Sequence, residues 1–172
     1  MGYEYDLIND FAKSQGLKLN IKVAENPARL IEMLEAGEAD VVAYPIPINN
    51  KLKQEVIYCG REDISSQVLI QRANKGDKLL TDVTQLIDKN VYVKPNTKYS
   101  ERLKNLDEEL GGGIHIQKVE NDSIATEDLI EMVSLGEIPY TISDDNTARL
   151  NKTYYWNINV DLKVSFPQRS SW

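Results

Sequence analysis

The stretch LIEMVSLGEIPYTI occupies residues 129–142 and begins a unit that occurs twice in this chain. Its apolar residues recur at helical spacing up to Gly136, and the apolar run 138–142 that follows is typical of a buried strand. The tetrapeptide LIEM also stands at residues 30–33, followed by Gly-Glu at 37–38 and a second apolar run at 39–43. Both matches have the same offset of 99 residues. A repeated helix, glycine and strand predicts two equivalent α/β lobes.

The remaining periodicity predicts the other elements. The predicted helices are 5–15, a helix from Asn26-Pro27 to Gly37, 99–110, one capped by Thr126 and ending at Gly136, and a short one at 146–150. The predicted strands are 17–23, 39–43, 67–71, 91–93, 114–119, 138–142 and 158–166, with a loop at 45–50. In the second half a strand precedes the first helix, whereas the first half begins almost at once with a helix. We therefore expect the chain to be a fragment of a longer protein, cut at both ends.

Composition and motifs exclude several classes of function. The 172 residues include 20 Lys and Arg against 27 Asp and Glu, a net charge of −7, which disfavours binding to nucleic acid. One cysteine, Cys59, excludes an internal disulfide, and a single histidine, His115, excludes most histidine metal sites. No phosphate loop, dinucleotide fingerprint or nucleophile elbow occurs. We predict no cofactor, no metal and no catalytic residue, although the many acidic residues leave a paired-carboxylate glycosidase open.

Candidate ligand-binding residues follow the predicted strands. Ligands of open α/β sheets bind beyond the carboxyl ends of strands, and the turn 94–97 and the loops 44–50 and 143–146 occupy such positions. The predicted ligand-binding residues are Tyr44, Asn49, Lys94, Asn96, Thr97, Ser143 and Asp144. Free amides and Lys94 at a helix start suit an anionic group, and Asp144 suits a cationic one, so a small zwitterion or a peptide is expected. The alternatives are a solvated Lys94, a packed Tyr44, and caps formed by Asn96, Thr97 and Asp144.

Three motifs resemble those of family 3 extracellular solute-binding proteins. They are GYEYDL at 2–7, GEADVVA at 37–43 and GEIPYTISD at 136–144. The similarity is strongest to the solute-binding domains attached to lytic murein transglycosylases. This resemblance implies an α/β fold of the type II periplasmic-binding kind, with a ligand cleft between two lobes. It also implies a partial first lobe at 1–67, a second lobe at 68–166 and a return crossing at 167–172.

The resemblance further implies a non-catalytic sensor domain in the periplasm or cell envelope, with outer-membrane association. The catalytic glutamate of such transglycosylases lies in a separate, covalently attached carboxy-terminal module. The family's ligand-binding arginine corresponds to Leu52, and Pro45 and Pro47 lack the backbone N–H that a ligand could use. We therefore expect a wall peptide or another small polar ligand, such as a muropeptide or an amino acid. The alternatives are a receptor for an amino-acid transporter and a degenerate scaffold lobe without a ligand. An incomplete first lobe would also expose a sheet edge, through which the fragment could dimerise.

Overall fold

The computed structural model describes residues 2–25, 27–121 and 123–172. These residues form two compact units. Unit 1 contains the residues up to Ile64 together with Arg169–Trp172, and unit 2 is Ser65–Gln168. The helices are α1 (Tyr3–Ser14), α2 (Pro27–Glu35), α3 (Leu52–Glu55), α4 (Lys98–Glu109), α5 (Thr126–Leu135) and α6 (Asp145–Lys152). The strands are β1 (Ile46–Pro47), β2 (Asp63–Ser65), β3 (Gln67–Arg72), β4 (Asn90–Val93), β5 (His115–Lys118), β6 (Tyr140–Asp144), β7 (Ile158–Asn159) and β8 (Gln168–Ser171).

Unit 1 combines its helices with a small sheet in the order β1-β8-β2. Strand β8 runs antiparallel to β1, with Ile46 opposite Ser171. Beside the sheet, the guanidinium of Arg169 donates from Nε to Glu62 Oε2 at 2.9 Å, and Ser171 Oγ donates to the carbonyl of Gly60 at 2.8 Å. These bonds tie the last residues of the chain to the segment around residue 60, which is more than 100 positions away.

Several predictions for unit 1 are wrong. Residues 17–23 and 39–43 form no strand, and Ile21 and Val23 are 53% and 91% exposed. An apolar alternation becomes a strand only where a partner supplies hydrogen bonds and a core covers one face, and neither segment has a partner strand in the described part of the chain. The predicted loop 45–50 contains strand β1. The helices predicted for this unit are confirmed as α1 and α2, while Asn26, the predicted cap, lies outside the described residues.

Unit 2 is built on a five-stranded sheet in the order β5-β4-β6-β3-β7. Strand β4 runs parallel to both β5 and β6, while β3 runs antiparallel to β6 and β7. Each face of the sheet has its own core. Helix α4 covers one face with Leu103 and Leu106 against Leu69 and Ile142. The other face packs Val68 and Ile70 against Leu129, Ile130 and Val133 of α5 and Ala148 of α6.

Most predictions for unit 2 are confirmed, with three corrections. Of the predicted strand 158–166, only Ile158–Asn159 forms a strand, β7. The chain then continues beside β3. There the N–H of Leu69 donates to the carbonyl of Leu162 at 2.8 Å, and the N–H of Val164 donates to the carbonyl of Gln67 at 2.9 Å. Thr126 is the first residue of α5 rather than its cap, because Ala125 holds the cap position and donates its N–H to Asp128. Helix α6 is longer than the predicted 146–150.

The sequence repeat has a structural counterpart at two glycines. Helices α2 and α5 are each followed by a glycine in the left-handed region, Gly37 at φ 68° and Gly136 at φ 81°. Glycine is favoured there because it has no Cβ to collide with the following carbonyl oxygen. After Gly136 the chain enters β6, whereas no strand follows Gly37 until β1. The repeat therefore holds for helix and glycine but not for the strand that comes next.

Candidate ligand site at the strand ends of unit 2

Five of the predicted ligand residues lie at one edge of the unit 2 sheet. Strands β4 and β6 are parallel neighbours, with Val91 opposite Tyr140, so their carboxyl ends reach the same edge. The turn 94–97 follows β4, and Ser143 and Asp144 are the last two residues of β6. The sheet topology therefore brings Lys94, Asn96 and Thr97 to the same edge as Ser143 and Asp144.

The turn between β4 and α4 is held by its own polar groups. Asn96 adopts φ 56°, a left-handed conformation that asparagine tolerates better than most residues. Thr97 is the helix cap: its hydroxyl accepts from Ser100 N at 3.3 Å and donates to the carbonyl of Lys94 at 2.9 Å. The Lys94 ammonium donates to the carbonyl of Asn121 at 2.6 Å. Lys94 therefore joins this turn to the loop that follows β5.

Asp144 is paired within unit 2. Its Oδ2 accepts a short hydrogen bond from the ammonium of Lys98 and a second one, at 3.1 Å, from the phenol of Tyr99. Both donors belong to the first turn of α4. Asp144 also holds the cap position of α6, but its side chain does not cap that helix. The end of β6 is therefore joined to the start of α4 by a charged contact.

Burial raises the pKa of the Tyr99 phenol, and the negative charge of Asp144 raises it further. Ionisation of Tyr99 would place a second negative charge beside a carboxylate in a poorly hydrated position. The phenol thus stays protonated as a hydrogen-bond donor. The Lys98 ammonium also lies 5.4 Å from the centroid of the Tyr99 ring, within the range of a cation–π contact.

Two buried oxygens next to Asp144 lack a hydrogen bond. They are Ser143 Oγ and Gln67 Oε1, and neither has a partner among the described residues. Gln67 is the cross-strand neighbour of Asp144 on β3, and cross-strand neighbours place their side chains on the same face of a sheet. Buried polar atoms are nearly always satisfied by protein, water or a ligand. Both atoms lie at the carboxyl end of β6, where each lacks a hydrogen-bond partner among the described residues.

The other two predicted residues, Tyr44 and Asn49, belong to unit 1. The Tyr44 side chain is about half exposed. Asn49 Oδ1 accepts from the backbone N–H of Leu52 at 2.9 Å, at the start of the short helix α3. The Asn49 side chain is therefore already engaged as a local cap.

Sequence reasoning missed Lys98 and Tyr99 as members of the site. Lys98 carried a signal, since a cation in the first turn of a helix is disfavoured by the helix dipole and calls for a compensating acid. The acid is 46 residues away in sequence, so spacing alone could not identify it. Tyr99 gave no comparable signal, because an aromatic residue in an amphipathic helix usually belongs to the core.

The family model of bacterial extracellular solute-binding proteins, family 3, matches residues 1–154. The chain belongs to this family. The predicted family and the type II periplasmic-binding fold are thereby confirmed.

Named relatives of this family 3 chain agree with the resemblance to transglycosylases. It is 31% identical over 176 residues to a protein named membrane-bound lytic murein transglycosylase F from Desulfosudis oleivorans, covering 100% of this chain and 37% of that protein. The transglycosylase F of Pseudomonas fluorescens is 27% identical over 173 residues, covering 99% of this chain and 34% of the relative. The chain thus spans about a third of the length of these relatives.

Solved structures confirm the fold of this family 3 chain. Holo ArgBP from T. maritima superposes with a TM-score of 0.69 at 20% identity, covering 99% of this chain and 72% of that one. The ligand-binding core of GluR0 in complex with L-glutamate gives a TM-score of 0.67 at 15% identity, with 99% and 76% covered. At such identities the likeness concerns the fold alone.

Neither a membrane-spanning helix nor a metal cluster occurs in the described ranges. No helix there is long and apolar enough to cross a membrane. No group of three His, Cys, Asp or Glu side chains stands close enough to hold a metal ion.

Proposed function

We propose that this chain is a non-catalytic solute-binding domain that recognises a small polar ligand, a cell-wall peptide or a related molecule, in the periplasm of a bacterium. The observation that carries the proposal is the convergence of the turn 94–97 with Ser143 and Asp144 at the carboxyl ends of β4 and β6. Open α/β sheets bind their ligands at such an edge, beyond the carboxyl ends of the strands.

The ligand class follows from the chemistry of the edge and from the names of the relatives. Lys94, Lys98 and the start of α4 supply positive charge, which suits a carboxylate. The relatives are named as enzymes that act on murein, so a peptide of the wall is the small carboxylate that such a protein would meet. Ligand binding would then be reported to the remainder of a longer transglycosylase, which carries the catalysis.

The residues of the site take different roles in this proposal. Lys94, Asn96 and Thr97 shape and charge the turn, Ser143 offers its hydroxyl, and Asp144 orients Lys98 and Tyr99. Tyr44 and Asn49 of unit 1 are proposed as further ligand contacts. An alanine variant at each of these positions measures the contribution of that residue to ligand affinity.

Calorimetric titration of the intact chain tests the proposal. The panel pairs a murein stem tetrapeptide with free arginine and free glutamate. We expect heat from the stem peptide only. Binding of a free amino acid alone would instead favour a transport receptor, and no binding in the panel would favour a scaffold lobe.

A matched pair of variants tests whether the strand-end edge is the binding site. Asp144→Ala is expected to change stem-peptide affinity by at least about tenfold, the effect of losing a hydrogen-bonded charge. Glu137→Ala removes an exposed acid before the opposite end of β6 and should leave affinity unchanged. Equal affinities for wild type and Asp144→Ala would remove Asp144 from the site.

A further inference from the structure

We infer that the strand-end edge of unit 2 selects a carboxylate ligand whose amino group is blocked as an amide, because Lys98 already holds the place that a ligand ammonium would take on Asp144. The preference presupposes the ligand site proposed above. The ligand class is an N-acylated amino acid or peptide, and Lys98 is the residue that sets this specificity.

The carboxylate of Asp144 is already occupied by groups of α4. Its Oδ2 accepts both the Lys98 ammonium and the Tyr99 phenol, and the Asp144 side chain is only 19% exposed. A ligand ammonium approaching this carboxylate would come within a few ångströms of the Lys98 ammonium. Two like charges at that separation, partly shielded from water, repel each other strongly. The Lys98 ammonium therefore occupies the position on Asp144 that a ligand ammonium would take.

The charges around this ion pair favour an anionic ligand group. Lys94 and Lys98 balance Asp144 and the exposed Glu101 of the first turn of α4, and the start of this 12-residue helix adds partial positive charge. The neighbouring acid Asp145 is neutralised by Arg149, whose Nε lies 2.5 Å from its Oδ1. The balance of these groups is positive. An anionic group is therefore favoured at the edge and a cationic one is not.

Ser143 favours a carboxylate for a reason that is independent of charge. This residue is fully buried, and its hydroxyl makes no hydrogen bond with the described residues. Ser143 stands directly before Asp144 at the end of β6. Its position beside Asp144 places an unsatisfied donor at the strand-end edge. A carboxylate oxygen is the acceptor that such a hydroxyl lacks.

Gln67 distinguishes a ligand with a blocked amino group from a ligand with none. Gln67 Oε1 is a buried acceptor without a partner among the described residues, and Gln67 stands opposite Asp144 on β3. The N–H of an amide is a neutral donor, so it can satisfy a carbonyl acceptor without bringing a charge next to Lys98. An N-acylated residue carries both a carboxylate and such an N–H.

Titration of the intact chain with one peptide in two forms tests this preference. The probe is the murein stem tetrapeptide with a free amino terminus and the same peptide with an acetylated one. We expect wild type to bind the acetylated form at least about tenfold more tightly, the effect of avoiding one like-charge contact. Lys98→Met should abolish or reverse the preference, because it frees Asp144 for a ligand ammonium. Lys104→Met, on the same helix but 73% exposed, is the matched control and should keep it.

The outcomes separate the specificity from the function itself. If wild type binds the free form as tightly as the acetylated one, or more tightly, the specificity is overturned while the ligand site stands. If wild type binds neither form, the proposed function fails and the specificity fails with it. If the preference survives in Lys98→Met and in a second variant, Lys98→Gln, then Lys98 does not set it. Thermal unfolding of each variant verifies that the fold is retained.

Discussion

Lys98 and Asp144 form an ion pair between the first turn of α4 and the last residue of β6. They are 46 residues apart in sequence. The phenol of Tyr99 donates to the same carboxylate oxygen of Asp144 as the Lys98 ammonium does. The pair compensates a cation that would otherwise oppose the dipole of α4. It also joins the two elements, α4 and β6, that meet at the candidate ligand edge.

Replacing Tyr99 should lower the stability of unit 2 and change its response to alkaline pH. The pKa of Tyr99 is raised above its ordinary 10.0, so the stabilisation from the neutral phenol is complete below that value and decreases as pH rises above it. Tyr99→Phe should cost about 1 kcal/mol in urea unfolding at about pH 8, for the lost hydrogen bond. It should also show a smaller loss of stability between about pH 8 and about pH 11 than wild type. Tyr154→Phe, at an exposed tyrosine, is the control, and equal slopes for Tyr99→Phe and wild type would contradict the prediction.

Replacing Glu62 should weaken unit 1 near neutral pH only. The hydrogen bond from Arg169 holds the pKa of the Glu62 carboxyl below its ordinary 4.5. A lowered pKa gives stabilisation that is present above the ordinary value and is lost as pH falls below it. Glu62→Gln should therefore lower the thermal midpoint slightly at about pH 7 and match wild type at about pH 3. Glu55→Gln, an exposed acid of the same unit, controls for charge alone, and a difference persisting at the acidic pH would rule out this ion pair as its cause.

Two leucines of unit 2 should differ sharply in their effect on stability. Leu103 is fully buried between α4 and the sheet, whereas Leu135 at the end of α5 is 65% exposed. Leu103→Ala should cost about 2–5 kcal/mol of unfolding free energy, since it removes buried methyl groups and leaves a cavity. Leu135→Ala should stay within about 0.5 kcal/mol of wild type. Chemical denaturation measures both, and similar losses at the two positions would mean that α4 does not pack as described.

Two glycines that follow helices of unit 2 test the positive-φ argument. Gly111 and Gly136 adopt φ 85° and 81°, so alanine at either position should cost about 1–2 kcal/mol. Gly136→Ala should cost more, because a Cβ there would meet the guanidinium of Arg72, which pairs with Asp77 at 3.0 Å. Apart from its chain neighbours, no heavy atom of the described residues lies within 4 Å of a Cβ at Gly111, so Gly111→Ala measures the backbone cost alone. Equal stabilities for the two variants would show that the Arg72 side chain moves aside without cost.

The reliability of the sequence patterns depended on whether each apolar run found a partner. The run 67–71 became β3 between β6 and β7, and 91–93 became β4 between β5 and β6. The equally regular alternation at 17–23 formed no strand, because no strand of the described residues pairs with it. Alternation shows which face of a segment could be buried, whereas hydrogen bonds from another segment decide whether a strand forms.

By itself, the sequence determined the main helices and the family of this protein. Helix spacing, glycine stops and the cap at Thr97 depend on neighbours within a few residues, and the three short motifs are contiguous. Only the tertiary structure decided which groups share the strand-end edge, because the partners of Asp144 come from another element of the fold. It also decided that Ser143 and Gln67 are buried without partners, since burial depends on what packs around a side chain rather than on its place in the chain.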